Sequence, residues 1–210
     1  NGELSLRMGN PIEAALVSFG SGLLIISLIS IFTPSIRNGM KNLKGAVNRK
    51  EIPAWTLFAG MLGGGFVAVQ TQIVPIIGVA IYSVASIAGQ TAASLIVDRI
   101  GLTGGGKKQI TVRRVAAAAV TVLAVLVSVL DRIEAQNLSL FAVIFGCFAG
   151  AMVGLQRALN GQINESSRQS FATSWLNFIM GTTFLVIFLA IGVLINRVEL
   201  VALPSGPWWM

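Results

Sequence analysis

The stretch Asn1-Gly2-Glu3-Leu4, followed by the apolar run Ile12 to Phe32, recurs later in the chain. Asn160-Gly161-Gln162-Ile163 precedes a second apolar run, Phe171 to Ile195. Four identities align at an offset of 159 residues: Asn1 with Asn160, Gly2 with Gly161, Phe19 with Phe178, and Gly22 with Gly181. Because internal repetition fixes an architecture, we predict two copies of one helical unit.

The composition indicates a helical integral membrane protein. The 210 residues are 54% hydrophobic and 11% charged, whereas a soluble domain is about 25% charged. The chain has no histidine, which excludes His-based proton relays, His metal ligands and Ser-His-Asp hydrolysis. The net charge of +7 lies in the loops, so no nucleic-acid partner is predicted. No cofactor or metal is predicted either.

Six apolar segments have the length of about 20 residues that a membrane-spanning helix needs. They are predicted at residues 12–32, 54–74, 76–97, 112–130, 138–159 and 171–195. Pro75 separates the second from the third, which are joined so tightly that they should form a hairpin. A further helix is expected to begin near Pro207. The predicted fold is an all-α polytopic membrane protein, with a first repeat at 1–130 and the start of a second at 131–210.

Basic residues predict how the segments are oriented. The loops 33–53 and 98–114 hold five lysines and arginines each, and two spans separate them, so both should lie on one side. The turn around Arg157 and Arg168 joins that side. The positive-inside rule then makes it the cytoplasmic side.

In this topology the two copies point in opposite directions. An inverted repeat with an odd number of helices per copy has this property. We expect a helix before Asn1 to complete a five-helix unit, giving ten helices in the intact protein. Inverted repeats are the common plan of secondary transporters, which bind substrate near the bilayer midplane.

The sequence resembles the drug/metabolite transporter superfamily, in particular its YdcZ branch of bacterial inner-membrane exporters. The resemblance rests on five stretches: Pro11 to Gly22, Pro53-Ala54-Trp55, Pro75 to Gly78, Ala88-Gly89-Gln90 and Asp98 to Leu102. It implies five-helix units of the EamA type, transport, and a multi-pass location in the bacterial cytoplasmic membrane. It implies no particular substrate.

Six polar residues are the candidate substrate-binding residues, because polar side chains in membrane helices are costly. They are Gln90, Asn177, Ser86, Gln70, Ser18 and Glu13. Ser86 and Gln90 share one helix face, and Asn177 aligns with Ser18 in the repeat, so a polar cavity between the copies is predicted. The alternative is interhelical hydrogen bonding, at about 1 kcal/mol or less each. Glu13 could couple protons, but favourable helix-start electrostatics is the preferred explanation.

Small residues at intervals of four predict where helices approach closely. The ridges are Gly146, Gly150 and Gly154; Ala85, Gly89 and Ala93; and Gly60 with Gly64. The chain as a whole predicts a secondary-active exporter of small metabolites or of cationic or amphipathic compounds, working by alternating access. A membrane assembly module without a transport cycle is the alternative. An intramembrane enzyme is disfavoured, since the sequence offers no histidine and no intramembrane acid pair.

Overall fold

The structure is a computed structural model that describes residues 1–102, 106–107, 109–128 and 140–201, which are helical and contain no strand. The helices are α1 Gly2–Met8, α2 Pro11–Phe32, α3 Pro34–Asn48, α4 Ala59–Ile100, α5 Val112–Ser128, α6 Leu140–Ser167 and α7 Ser170–Leu194. A 3-10 helix, Ala54–Phe58, precedes α4. The predicted residues 129–130 and 138–139 of two spans, and the helix start near Pro207, lie outside the described residues.

Within the described ranges, four helices are long and apolar enough to cross a membrane, namely α2, α4 with its 3-10 extension, α6 and α7. The described part of α5 has 17 residues, fewer than the roughly 20 that a span needs. In contrast, α4 has 42 residues and would extend for about 63 Å if straight, twice the hydrocarbon thickness. The predicted count of six spans stays a prediction.

The long helix α4 folds back on itself at Gly78. This residue has φ 79° and ψ 160°, a region that only glycine occupies readily. The rings of Phe66 and Tyr82 lie 6.0 Å apart, whereas 16 residues of straight helix would separate them by about 24 Å. The expectation of a hairpin agrees with this geometry, but the boundary predicted at Pro75 is wrong. Proline ends no helix here; it removes only one N–H bond near the end of the arm 59–77.

The junction between α6 and α7 also differs from the prediction. Helix α6 continues past Leu159, through Asn160 and Gly161, to Ser167. The predicted loop after Asn160-Gly161 is therefore wrong, and the chain turns instead at Arg168, with φ 54°. Helical packing of Ile163, which is fully buried, accounts for the extension.

The helix starts of α2 and α7 repeat at the offset of 159 residues. Asn10 caps α2 by accepting hydrogen bonds from the N–H groups of Ile12 and Glu13 at 3.0 and 3.1 Å. Gln169 caps α7 by accepting from the N–H of Phe171 at 3.1 Å. The residues before these caps, Gly9 and Arg168, both have positive φ, at 66° and 54°. Asn1 directly precedes α1, whereas its counterpart Asn160 lies inside α6.

The predicted basic loop 33–53 contains the amphipathic helix α3. Its apolar residues Leu43 and Ala46 are buried in a cluster with Leu159 and Ile163 of α6 and Leu176 of α7. Its lysines, Lys41 and Lys44, are exposed. A helix with one apolar and one basic face suits the membrane interface, so α3 closes this end of the bundle.

Small-residue ridges carry the main helix contacts, as predicted. The arm 79–100 packs on α6, where Gly89 lies against the Cys147 carbonyl and Gly150 against the Ser86 carbonyl. The arm 59–77 packs on α7, where a Cβ on Gly64 would lie 2.8 Å from the carbonyl oxygen of Gly181. Backbones at this distance leave no room for side chains between them.

Hydrogen bonds gather the basic segments at one end of the bundle. The Asn42 side chain donates to the Ser167 carbonyl at 3.3 Å. The Gln169 side chain donates to the Ser35 hydroxyl at 3.1 Å, and the Gln162 side chain donates to the Leu102 carbonyl. Helix α3, the start of the 98–114 loop and the end of α6 therefore share one end. We call it the basic end.

Candidate functional site

A cavity of about 460 Å³ opens between the two arms of α4 and α1. Its lining is formed by Asn1, Gly2, Phe66, Gln70, Val74, Val79, Tyr82, Ser83, Ser86, Ile87 and Gln90. We call it the arm cavity. None of these lining side chains is charged, and three of the six predicted site residues are brought together here.

The predicted residues of the arm cavity are only partly satisfied by hydrogen bonds. The side-chain oxygen Oε1 of Gln70 accepts a hydrogen bond from the side-chain amide of Asn1 at 2.8 Å. The Gln90 amide donates to the Ser86 hydroxyl at 3.1 Å. Phe66 and Tyr82 were missed by the sequence reasoning. Tyr82 is the single tyrosine of the chain and lies in an apolar run, which is the signal that could have identified it.

A second cavity, of about 300 Å³, lies between α2, the arm 59–77, α6 and α7. Its lining is formed by Phe19, Gly63, Phe66, Val67, Val153, Gln156, Ser174, Asn177 and Phe178. We call it the phenylalanine cavity. Phe66 belongs to the lining of both cavities, so the two are neighbours. The predicted polar cavity between the copies stays a prediction.

The polar side of the phenylalanine cavity is a chain of amides. The side-chain amide of Gln156 donates to the side-chain oxygen Oδ1 of Asn177 at 3.4 Å. The side-chain amide of Asn177 in turn donates to Oδ1 of Asn160 at 3.0 Å. These contacts join α6 to α7 and orient Asn177. Asn160 had been treated only as a landmark of the repeat, so its contact with Asn177 was not foreseen.

The aromatic side of this cavity is built reciprocally. Phe19 and Phe178 meet edge to face, with ring centroids 5.5 Å apart and an interplanar angle of 65°. The Phe178 ring lies against Gly22, and the Phe19 ring lies against Gly181. Each phenylalanine thus occupies the space that a glycine leaves on the opposite helix. These four residues form two of the four identical pairs that align at the offset of 159 residues.

The other two predicted residues lie apart from both cavities. Ser18 is half-buried, and its carbonyl accepts a hydrogen bond from the Ser21 hydroxyl at 3.0 Å. Glu13 is 9% exposed, and one of its carboxylate oxygens accepts from the N–H of Val201 at 3.1 Å. Glu13 therefore holds the segment after α7 against the start of α2.

A third, charged cavity of about 690 Å³ lies at the basic end. Its lining includes Lys41, Arg49, Glu51, Glu165 and Arg168. Arg49 binds Glu51 through two hydrogen bonds of 2.6 and 3.1 Å. The hydrogen bond from Arg49 lowers the pKa of the Glu51 carboxyl, and the positive charges of Arg49 and Arg168 act in the same direction. Among the described residues no cluster of His, Cys, Asp or Glu could hold a metal ion.

Long apolar helices packed around small uncharged cavities define a multi-pass membrane protein. The chain matches the sequence model of the family described as "Putative inner membrane exporter, YdcZ" over residues 1–127 and 141–210, and it belongs to that family. A family of inner-membrane exporters is a family of transporters rather than of enzymes. No curated protein and no solved structure matches the chain.

Proposed function

We propose that the chain forms part of a secondary transporter that exports a small solute by alternating access. The observation that carries the proposal is the reciprocal packing of Phe19 on Gly181 and of Phe178 on Gly22. Each copy contributes one phenylalanine and one glycine to this contact, in the same roles. Such symmetry supports a two-fold relationship between the copies. In transporters with inverted repeats the substrate site lies at such an interface, which here is the phenylalanine cavity.

The contacts at the basic end support the predicted orientation. Three basic segments lie together: helix α3, the start of the 98–114 loop and the turn at Arg168. The predicted topology requires this, because it puts all three on the same side of the membrane. The positive-inside rule then places this end in the cytoplasm, and the charged cavity with it. The opposite end, where Glu13 contacts Val201, would face the other side of the membrane.

The lining of the two cavities supports a small amphipathic substrate. Aromatic rings and side-chain amides line them, without a charged side chain. An anion entering such a cavity would lose its hydration without gaining a counter-charge. An uncharged solute, or one with a dispersed positive charge that aromatic faces attract, would be accepted. Gln70, Ser86, Gln90 and Asn177 would supply the hydrogen bonds.

One observation favours the alternative of a membrane assembly module. The amides of Gln156, Asn177 and Asn160 bind one another, which is what purely structural interhelical hydrogen bonds would do. The substitution Asn177→Ala separates the two functions. A transporter would lose flux, whereas a structural module would lose only stability.

The test is solute flux in proteoliposomes with the full-length protein. A panel of neutral, cationic and anionic metabolites is offered with and without a pH gradient. We expect flux of an amphipathic neutral or cationic solute, and at least a tenfold loss in Asn177→Ala. Thr183→Ala is the matched control, because this hydroxyl on the same helix donates to the Ile179 carbonyl at 2.8 Å outside both cavities. Absence of flux for every solute in the panel would contradict the proposal.

The same assay tests proton coupling at Glu13. Glu13→Gln keeps the shape of the side chain and removes its titration. A coupling role predicts that flux no longer responds to the pH gradient. An unchanged response would leave Glu13 as a residue that anchors the start of α2.

Cysteine labelling tests the inverted topology. Single cysteines at the positions of Arg7 and Arg168 should react with membrane-impermeant reagents from opposite sides of the bilayer. Labelling of both from one side would contradict the inverted repeat.

A further inference from the structure

The charged cavity at the basic end lies where the apolar helices end. One helix that is long and apolar enough to cross a membrane ends at Ser167, and two others begin at Ala54 and Ser170. Glu51 and Arg168 of the cavity lining lie within three residues of these ends. The lipid headgroups occupy the zone just outside the hydrocarbon core of a bilayer. The cavity of about 690 Å³ is therefore at headgroup level.

The charges of this cavity do not balance. Its lining contains three cations and two carboxylates. Arg49 is paired with Glu51, whereas Lys41, Arg168 and Glu165 form no ion pair within the described part of the chain. One positive charge is therefore uncompensated. A ligand with a single negative charge would neutralise it, and a zwitterion would not.

Uncharged polar side chains hold the cavity open and add hydrogen-bonding capacity. The side-chain amides of Asn42 and Gln162 donate to the backbone carbonyls of Ser167 and Leu102, which ties the walls together without a ligand. Their side-chain oxygens stay available as acceptors, and so does the carboxylate of Glu165. A phosphate group that carries hydroxyl groups next to it would find partners here.

An apolar strip begins beside the cavity. Ile52 belongs to the lining, and the 3-10 helix Ala54–Phe58 follows it. Trp55 and Phe58 of this helix are 53% and 51% exposed, and residues three apart lie one above the other in a 3-10 helix. Tryptophan is typical of the membrane interface. Acyl chains need such a surface, whereas a soluble phosphate ester does not.

We propose that the charged cavity binds the headgroup of an anionic phospholipid with one phosphodiester and free hydroxyl groups, such as phosphatidylglycerol. Lys41 and Arg168 contact the phosphate, as cations near a membrane surface do with anionic lipids. Glu165 accepts hydrogen bonds from the headgroup hydroxyls, and the acyl chains lie along Trp55 and Phe58. The inference needs only the membrane location of the chain, not the proposed transport cycle.

The experiment measures lipid binding to the full-length protein in neutral detergent micelles by native mass spectrometry. The probes are phosphatidylglycerol, phosphatidylethanolamine with the same acyl chains, and glycerophosphoglycerol, which is the same headgroup without acyl chains. Phosphatidylglycerol should bind about fivefold or more tightly than phosphatidylethanolamine, the effect of one net charge. Glycerophosphoglycerol should not bind at the same concentration.

Two double variants test which cations bind the phosphate. The variant Lys41→Gln with Arg168→Gln should weaken phosphatidylglycerol binding about tenfold or more. The matched control is Lys44→Gln with Lys50→Gln, which removes the same charge from exposed positions outside the lining. Lys50 has a φ of 59° and Arg168 one of 54°, so each pair also includes one residue with positive φ. The control should lose about threefold at most, because salt screens charges that do not touch the lipid.

Glu165→Gln tests the same site by a gain in affinity. Glutamine keeps an acceptor oxygen for the headgroup hydroxyls and removes a negative charge beside the phosphate. Phosphatidylglycerol binding should therefore strengthen, by about twofold or more. A variant that fails to fold cannot produce this result, so the test does not depend on how well the double variants fold.

Three results would overturn the inference: no preference for phosphatidylglycerol over phosphatidylethanolamine, equal losses in the two double variants, or weaker binding in Glu165→Gln. Binding of glycerophosphoglycerol as tight as that of the lipid would overturn it as well, because the ligand would then be a soluble phosphate ester. No flux is measured, so each result is independent of whether the protein transports a solute.

Discussion

Phe19 of α2 and Phe178 of α7 form an edge-to-face pair in which each ring fills the space beside a glycine of the other helix. The arrangement predicts that a methyl group at either glycine destabilises the bundle. A Cβ on Gly22 would lie 2.6 Å from the Phe178 ring atom Cζ. Gly22→Ala and Gly181→Ala should each destabilise the bundle by about 1–3 kcal/mol through overpacking, measured as a lower thermal midpoint in detergent.

The control for this pair is Gly20→Ala. A Cβ on Gly20 would meet no atom within 4 Å, and alanine is the better helix former by about 0.5–1 kcal/mol. Its midpoint should therefore stay the same or rise. An unchanged midpoint in Gly22→Ala or in Gly181→Ala would argue against the reciprocal packing.

Gly78→Ala should destabilise the protein for a different reason. A Cβ at Gly78 would meet no atom within 4 Å, so packing is not at stake. Its φ of 79° and ψ of 160° are strained for any residue with a side chain, at a cost of about 1–3 kcal/mol. The thermal midpoint of Gly78→Ala should fall below that of Gly161→Ala, whose Cβ also has free space. Equal midpoints would show that the hairpin does not depend on this conformation.

Phe66→Leu should alter the size of solute that is accepted. The shorter side chain would open the wall between the arm cavity and the phenylalanine cavity, so flux of a bulky solute should increase relative to a small one. The ratio is measured in proteoliposomes for both solutes in parallel. Phe148→Leu is the control, since this ring is 58% exposed and lines neither cavity. An unchanged ratio in Phe66→Leu would mean that the two cavities do not act together.

Glu51 should contribute to stability in a pH-dependent manner. Its pKa is lowered by the hydrogen bond from Arg49, so its contribution is present above the usual carboxyl pKa of about 4.3. It is lost as the pH falls through the lower pKa of the folded state. The midpoint difference between the protein and Glu51→Gln should therefore be largest near neutral pH and shrink in acid.

The control for Glu51 is Glu165→Gln in the same charged cavity. Glu165 makes no ion pair within the described part of the chain, so its substitution should produce a smaller difference. High salt should reduce the Glu51 effect, because exposed charges are screened. A midpoint difference between the protein and Glu51→Gln that grows as the pH falls would contradict the prediction.

The positions of α2 and α7 were predictable from the sequence, because long uninterrupted apolar runs specify them. The predicted 12–32 and 171–195 agree within a residue with Pro11–Phe32 and Ser170–Leu194. The glycine ridges also predicted the contacts of α6, since backbone approach depends on local spacing alone. The break at Gly78 was missed because proline is the more familiar helix breaker, while a helix tolerates proline near its end.

The site was predicted less completely than the fold. Polarity identified Gln70, Ser86 and Gln90 as candidates, and the hairpin of α4 brings them to one cavity. Polarity could not show that Asn177 lines a different cavity from these three residues. The position of Phe66, which lines both cavities, depends on tertiary packing. The sequence marks Tyr82 only as the single tyrosine of the chain, because its packing is decided by the whole bundle.

The hairpin of α4 has a consequence for how the protein is made. No charged residue occurs between Glu51 and Asp98, so the turn at Gly78 has no anchor of its own on the far side of the membrane. In the proposed orientation the flanking cations, such as Lys50 and Arg99, would stay on the cytoplasmic side. The two arms would then enter the bilayer as a pair, with Gly78 leading.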